Sequence, residues 1–359
     1  MRSEQATFVN KTKSLLDSTF RTVKGLYESK LLRYILKRIL YAFITFLLSL
    51  TIVFYLYHIL PGSSANVFAQ DPRLSQETRD QINRDWGLDQ PIYIQYLLFL
   101  KNLMRGNLGF SFLHRKPVAD LIWETLPWTL LLLGLSFIIS AVIGILLGAF
   151  IAWRRASKLD TTFVLLYNVY NAFPLFFVGM LFVGIFGYKA KVDGWGFSFP
   201  LYGAQDPVIK ANGTLWERTV DIAQHLFLPL LVLVLFGIFA WSWFVRGNLI
   251  NILSEDYMLT AKAKGLNDNQ VLYRHGMRNA MLPVVTAIGL DFGILMGGNV
   301  LIETVFSYPG TGFLLFESLL RKDYPVVQGA FIIIAAITLI ALLISEILYA
   351  VLDPRIRTE

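Results

Sequence analysis

The chain has 359 residues, a mean hydropathy of +0.55 and only 16% charged residues. A soluble protein would carry about a quarter charged residues, so the composition excludes an ordinary soluble domain and indicates a membrane protein. The absence of cysteine excludes disulfides, thiol nucleophiles and cysteine-ligated metals, and the four histidines are scattered without a metal-binding pair, so we predict no metal site.

The first 60 residues divide into a basic extension and an apolar stretch. Residues 1–30 carry lysines and arginines around an apolar stripe formed by Leu16, Phe20, Val23 and Tyr27. This stripe predicts a basic amphipathic helix on anionic headgroups, with a disordered basic tail as the alternative. The first transmembrane helix is predicted over residues 31–60, of which 39–60 have no formal charge.

The rest of the chain alternates polar and apolar stretches. Residues 61–120 predict an extracytoplasmic loop with an interfacial helix, and residues 353–359 a cytoplasmic tail. Between them lies a predicted transmembrane core, residues 121–352, with spans at 125–153, 161–188, 222–245, 283–306 and 324–345. Pro174 predicts a kink in the third of the six spans. Glycines at 134, 144 and 148 predict close helix packing.

The net charge of +7 is explained by topology and does not require a nucleic-acid partner. Of the 32 lysines and arginines, 19 fall on the side of the six predicted spans that carries both termini. The positive-inside rule places that side in the cytoplasm. We therefore predict an all-α integral membrane protein with six transmembrane helices, both termini cytoplasmic, in the cell membrane.

A long polar interruption separates the fourth and fifth predicted spans, over residues 254–282. Ser254 would cap a first short helix, Gly265 would end it in a left-handed conformation, and Asn267 or Asp268 would cap a second. At about ten residues, or roughly 15 Å, the first helix is too short to cross a bilayer. Its spacing fits either a handle for a partner protein or an ordinary amphipathic connector.

The residue types in this interruption favour a helix that binds a partner protein. Thr260-Ala261-Lys262-Ala263-Lys264-Gly265, followed by Leu282-Pro283, resembles the EAA loop of ABC importer permeases, although Leu259 stands where the family has a leading glutamate. The long gap from Gly265 to Pro283 resembles the oligopeptide, dipeptide and nickel subfamily. Other stretches resemble the same subfamily, namely 32–40, 60–62, 87–91, 106–109, 305–312 and 321–329.

The resemblance implies a type I ABC importer permease fold and the role of the first, B-type permease subunit of a peptide importer that works by alternating access. It also implies a second homologous permease subunit, two P-loop ATPase subunits and an extracytoplasmic substrate-binding protein as partners. The chain has no GxxxxGK(S/T) phosphate loop and no catalytic constellation, so we predict that it is not an enzyme. We expect no cofactor in this chain, with ATP and Mg²⁺ bound by the partner ATPases.

Two groups of functional residues follow from the resemblance and the pattern. The helix at 254–266 is expected to enter a cleft on the ATPase through Asp256, Tyr257, Thr260, Ala261, Lys262, Ala263, Lys264, Gly265 and Leu266. The translocation path is expected to include Asp291, Asn299 and Glu303. A carboxylate in mid-span is costly in lipid, so Asp291 should meet either the cargo or the second permease.

Three other functions compete with the peptide importer. A nickel or nickel-chelate permease shares the same motifs, and the lack of clustered His, Cys or Met favours peptides over it. An ion-driven secondary transporter would need inverted repeats and several intramembrane ionisable residues. A membrane-embedded enzyme would need a catalytic constellation, which the sequence lacks.

Overall fold

The computed structural model describes residues 30–59, 75–77, 80, 84, 86–87, 90–111, 113–295 and 298–352. The predicted basic extension up to residue 29, the motif at 60–62 and the tail at 353–359 lie outside the described residues. The described chain is mostly helical. Within it, five helical segments are long and apolar enough to cross a membrane: Leu32–Ile59, Val118–Trp153, Leu175–Val192, Leu215–Leu253 and Tyr324–Ile347.

We number the described elements in chain order. The first half contains α1 (Lys30–Ile59), α2 (Ile92–Met104), an antiparallel hairpin of β1 (Phe110–Ser111) and β2 (Lys116–Pro117), α3 (Val118–Trp153), α4 (Lys158–Asn171), α5 (Leu175–Phe182), the π-helix π1 (Val183–Lys189) and α6 (Ala190–Val192). The second half contains α7 (Pro207–Asn212), α8 (Leu215–Leu253), α9 (Asp256–Ala263), π2 (Gln270–Met277), α10 (Arg278–Leu295), α11 (Val300–Val305), α12 (Thr311–Leu320) and α13 (Tyr324–Leu352).

Helices α3 and α8 form the most extensive packed pair among the described elements. Close approach depends on glycine, because a Cβ at Gly144 would lie 2.5 Å from the Trp241 Cβ and one at Gly148 would lie 2.5 Å from the Ser242 carbonyl oxygen. These two predicted packing positions are confirmed. Gly134 was predicted to pack in the same way, and this was wrong, since a Cβ there would meet nothing within 4 Å.

The helices α3 and α8 run parallel, so that residues 140, 144 and 148 of α3 lie against residues 237, 241 and 245 of α8, and the pair defines two ends of the bundle. We call one the basic end, where α3 ends at Trp153 and α8 ends at Leu253, next to Arg154, Arg155 and α9. The opposite end, where α3 and α8 begin, we call the loop end. It carries residues 193–214, and the Gly203 N–H donates to the Phe306 carbonyl there at 3.0 Å.

The third predicted span is interrupted at its proline. α4 ends at Asn171, Pro174 has an extended ψ of 134°, and α5 begins at Leu175. The helix is therefore broken rather than only kinked. Proline supplies no N–H to the helical ladder and disfavours a helical conformation in the residue before it.

The fifth predicted span, 283–306, was wrong as a continuous helix. α10 already begins at Arg278, runs through Pro283 and ends at Leu295, and the short α11 follows. Gly298 has a φ of +78°, which is incompatible with a right-handed helix. The Asn299 side chain then accepts the Ile302 N–H at 3.1 Å and starts α11 as a new helix.

The first and last described helices pack against each other and share an ion pair. Arg38 on α1 lies 2.9 Å from Glu346 on α13. Deeper along α13, a Cβ on Gly289 of α10 would lie 2.6 Å from Ser345, so α10 and α13 also depend on glycine for close contact.

Candidate functional site

The helix α9 lies at the basic end, directly after α8. Ser254 was predicted to begin this helix, and this was wrong. Ser254 is the last, capping residue of α8, and its hydroxyl donates to the Ile250 and Asn251 carbonyls at 3.1 and 2.7 Å. A serine hydroxyl that bonds back to carbonyls three and four residues earlier completes the preceding helix and is not available to cap the next one. α9 instead starts at Asp256 after Glu255.

The C-terminal end of α9 agrees with its sequence signal. Gly265 has a φ of +78°, and its N–H donates to the Lys262 carbonyl at 2.9 Å. Asn267 and Gln270 then exchange side-chain bonds with each other's backbone N–H groups at 2.9 and 3.2 Å, which confirms Asn267 as a cap. The second predicted helix is not short, because π2 and α10 continue it without a break.

One face of α9 packs against the protein itself. Met258 and Ala261 are buried together with Val271 of π2, and Trp153, Leu253 and Leu266 cover them. Ala261 is only 6% exposed. This inward face fixes α9 on π2 and on the ends of α3 and α8. The small Ala261 side chain therefore lets α9 approach its own bundle, and in this structure it is not part of the outer surface.

The other face of α9 is open. Leu259 is 71% exposed and Tyr257 41% exposed, and Asp256, Thr260, Lys262, Ala263, Lys264 and Gly265 are also exposed. The Tyr257 hydroxyl accepts a hydrogen bond from the Asn279 amide at 2.9 Å, which orients the ring. A short helix with an exposed leucine and tyrosine and two lysines presents a mixed apolar and basic surface. Such a surface suits an acidic, partly apolar cleft on another protein.

A groove of about 390 Å³ lies beside the exposed face of α9. Its lining includes Trp153, Arg155, Glu255 and Leu259. The Lys262 ammonium lies 5.5 Å from the centre of the Trp153 ring, within the range of a cation–π contact. This contact keeps Lys262, one of the two lysines expected to contact the ATPase, against the bundle.

A second charged contact at the basic end joins α4 to α8. Arg246 lies 2.6 Å from the Asp160 carboxylate, whose other oxygen accepts the Ala156 N–H at 2.9 Å. Asp160 stands just before the third predicted span. The hydrogen bond from Arg246 holds the pKa of the Asp160 carboxyl below its usual range, against the opposing effect of burial. Sequence analysis missed this pair because its members are 86 residues apart.

Among the predicted path residues, Glu303 lies in a fully buried site between α11, α12 and α3. Its carboxylate accepts the Thr129 hydroxyl at 3.1 Å and the N–H groups of Asn299 and Phe313 at 3.3 and 3.0 Å. The Thr129 hydroxyl in turn accepts the Thr311 N–H at 2.8 Å. We call these five residues the carboxylate clasp. Glycine is required around it, because a Cβ on Gly312 would lie 2.9 Å from the carboxylate.

The three predicted path residues are thus not brought together in one place. Asn299 and Glu303 meet in the carboxylate clasp, whereas Asp291 is an exposed residue on α10. Its side chain makes no hydrogen bond or ion pair with another residue that the structure describes. Thr129 and Thr311 were missed by the sequence analysis. Thr129 stands alone in an apolar run, and that isolated hydroxyl is the signal that could have found it.

Comparison with known proteins decides the family. Residues 144–358 match the family described as binding-protein-dependent transport system inner membrane component, and residues 31–133 match the N-terminal part of such membrane components. The chain belongs to this family. Its members are permease subunits of inner membrane transport systems, and the chain is one of them. Together the two matches cover residues 31–358 apart from residues 134–143, and the longer match includes α9.

Three curated relatives match this chain over nearly their whole length. An oligopeptide transport system permease protein of Bacillus subtilis is 36% identical over 90% of this chain and 98% of its own length. A glutathione transport system permease protein of Escherichia coli K12 is 34% identical over 91% of this chain and 99% of its own length. A dipeptide transport system permease protein of Alkalihalophilus pseudofirmus is 32% identical over 91% of this chain and its full length.

Proposed function

We propose that this permease is the transmembrane subunit of an ATP-driven ABC importer that moves peptides into the cell by alternating access. The observation that carries the proposal is the similarity, over nine-tenths of the chain, to permeases named for oligopeptides, glutathione and dipeptides. These cargos share amide N–H and C=O groups and differ in length and side chains.

The exposed face of α9 supports coupling to separate ATPase subunits. Tyr257 and Leu259 stand out from a helix whose other face is fixed by Met258 and Ala261. A helix held in this way transmits a displacement to the ends of α3 and α8 instead of bending away. ATP and Mg²⁺ belong to the partner ATPases in this proposal, and the chain itself catalyses nothing.

The proposed complex contains a second homologous permease, two P-loop ATPases and an extracytoplasmic substrate-binding protein. The family description, which names binding-protein-dependent transport, supports the last of these. The proposed topology has six spans with both termini in the cytoplasm. α10 and the short α11 together supply the span that the five long helices lack, and the basic end faces the cytoplasm.

In the assembled importer, Asp291 requires a polar neighbour. An exposed carboxylate on α10 is too costly to leave in lipid, so it faces either the cargo or the second permease. An anionic group in the path suits the ammonium group of a peptide. A nickel or nickel-chelate cargo is the competing assignment for the same path.

The test is uptake by the assembled importer, purified in mild detergent and reconstituted into proteoliposomes with its binding protein. We expect labelled peptide to accumulate only when ATP is present on the side of the ATPases, with competition by unlabelled peptide and none by Ni²⁺. Accumulation of Ni²⁺ without peptide, or uptake driven by an ion gradient without ATP, would overturn the proposal.

A further inference from the structure

The break between α4 and α5 leaves backbone groups without partners. The last backbone bonds of α4 run from the Ala172 and Phe173 N–H groups to carbonyls at Asn168, Val169 and Tyr170. The Pro174 carbonyl, at the start of α5, accepts the Phe177 N–H. Among the backbone hydrogen bonds of the described residues, none reaches the carbonyls of residues 171, 172 and 173.

This break lies deep in the membrane. The Asp160–Arg246 ion pair marks the charged boundary at the basic end. From Asp160 to Asn171 the chain rises by about 16 Å along α4 at ~1.5 Å per residue. The hydrocarbon core of a bilayer is about 30 Å thick, so the break falls near its middle. The packing agrees, because the Tyr170 ring lies 3.9 Å from that of Phe236, near the midpoint of α8.

Lipid is not a possible neighbour for such a segment. Residues 171–174 are all exposed on the isolated subunit. An unsatisfied backbone group in hydrocarbon costs several kcal/mol, and irregular backbone at this depth occurs only against protein or along a water-filled cavity. Two asparagines, Asn168 and Asn171, are exposed here, and among the described residues the Asn168 amide donates to the Val164 carbonyl of its own helix.

Aromatic rings hold the break against α8. Tyr170 contacts Phe236 and Phe239, with ring centres 3.9 and 4.6 Å away, and Tyr167 stacks on Trp243 at 4.3 Å. These ring contacts hold the end of α4, and with it the backbone at residues 171–173, against α8. A fixed set of carbonyls costs little reorganisation when it binds a ligand.

We propose that the break at residues 171–174 is a peptide-backbone subsite of the translocation path, where the carbonyls of Asn171, Ala172 and Phe173 accept N–H groups of the passing peptide. The inference rests on the proposed peptide function. Backbone carbonyls accept from main-chain N–H groups and from an N-terminal ammonium whatever the side chains are. This is the recognition that cargos as different as oligopeptides, dipeptides and glutathione would share.

The chain has no cysteine, so a single introduced thiol reports on the break. We would introduce Ala172→Cys and, as a control, Ile138→Cys on α3, which is 59% exposed. Ile138 has nearly the same depth, because neighbouring Ser140 packs on Gly237 of α8. Each variant is assembled with its partners, reconstituted, checked for ATP-dependent peptide uptake, and treated with a charged, water-soluble thiol reagent.

We expect the reagent to label Ala172→Cys at least about tenfold faster than Ile138→Cys, and a transported peptide at saturating concentration to slow that labelling at least about fivefold. Three results would overturn the subsite: no labelling of Ala172→Cys in an active importer, which places the break in a subunit contact, equal labelling of both variants, or labelling that peptide does not slow. Failure of the peptide function itself is distinguishable, because it would appear as absent uptake by the unmodified importer.

Discussion

The Glu303 carboxylate is an acceptor for donors that are all fixed by the fold. The Thr129 hydroxyl and the Asn299 and Phe313 N–H groups converge on it. The clasp thereby ties α11 and the start of α12 to α3 at the loop end. Glu303 and Thr129 are 174 residues apart in the sequence. The sequence alone could not show their contact, and it therefore indicated a path residue at Glu303.

Replacing Glu303 by glutamine should destabilise the subunit although the two side chains have the same size. The amide NH₂ would face backbone donors, and each buried donor left unpaired costs about 1–3 kcal/mol. We expect a lower thermal unfolding temperature in detergent for E303Q and for Thr129→Val. Thr129→Ser keeps the hydroxyl and should unfold like the unmodified subunit. Equal unfolding temperatures for E303Q and the parent would contradict the clasp.

The Asp160–Arg246 pair makes a prediction that depends on pH. Asp160→Asn leaves a largely buried guanidinium without its carboxylate, a change that costs about 3–5 kcal/mol in buried pairs. The folded-state pKa of Asp160 is lowered, so the pair stabilises the protein above the ordinary pKa and loses this contribution as pH falls through the lowered value.

The unfolding temperatures of the parent and of Asp160→Asn should therefore differ at pH 7, begin to approach each other below about pH 4, the ordinary value for aspartate, and converge once the pH is below the lowered pKa. Thermal unfolding in the same detergent at pH 7 and at a pH below the lowered pKa measures this difference. A difference of the same size at both values would show that the carboxylate charge is not responsible.

At the scale of elements, the sequence predicts the position of α9 well and its orientation poorly. The charges and Gly265 locate the helix, since local caps and turns are set by neighbouring residues. Which face turns inward depends on Val271 and Trp153, which contact α9 from other elements. Ala261 therefore could not be assigned to the buried face from spacing. The same limit applies to Ser254, which serves α8.

A substitution on the exposed face of α9 and one on its buried face should have different effects. Leu259→Glu alters only the exposed face, and loss of one apolar anchor should weaken ATPase binding at least about tenfold, or 1.4 kcal/mol. Ala261→Leu should lower the unfolding temperature instead, because its site is filled by Met258 and Val271. ATPase co-purification and thermal unfolding separate the two. Normal ATPase binding by Leu259→Glu would remove the exposed face from the contact.

The α3–α8 pair supplies a matched test of helix packing. Gly144→Val adds a side chain at a position where even a Cβ would lie 2.5 Å from the Trp241 Cβ. Overpacking of this kind costs about 1–3 kcal/mol. A Cβ at Gly134 on the same helix would meet nothing within 4 Å, so Gly134→Val should change unfolding little. Thermal unfolding of both variants in detergent gives the comparison. Equal destabilisation would indicate a general effect of valine in α3.

At the scale of the whole molecule, composition and apolar run length predict the membrane class and most of the long helices. α3 begins before its predicted span and ends with it at Trp153, whereas α8 extends beyond its predicted span at both ends, from the Thr214 capping box to the Ser254 cap. The break at Gly298 was not predictable, since a glycine-rich apolar run fits a continuous span equally well.

The central claim is that α9 couples this permease to separate ATPases. It is tested most directly by purifying the tagged chain in mild detergent and identifying its partners by mass spectrometry, alongside Leu259→Glu. We expect the parent to bring down a P-loop ATPase and a second permease, and the variant to keep the second permease while losing the ATPase. A chain that purifies alone and still moves solute into liposomes without ATP would contradict this account.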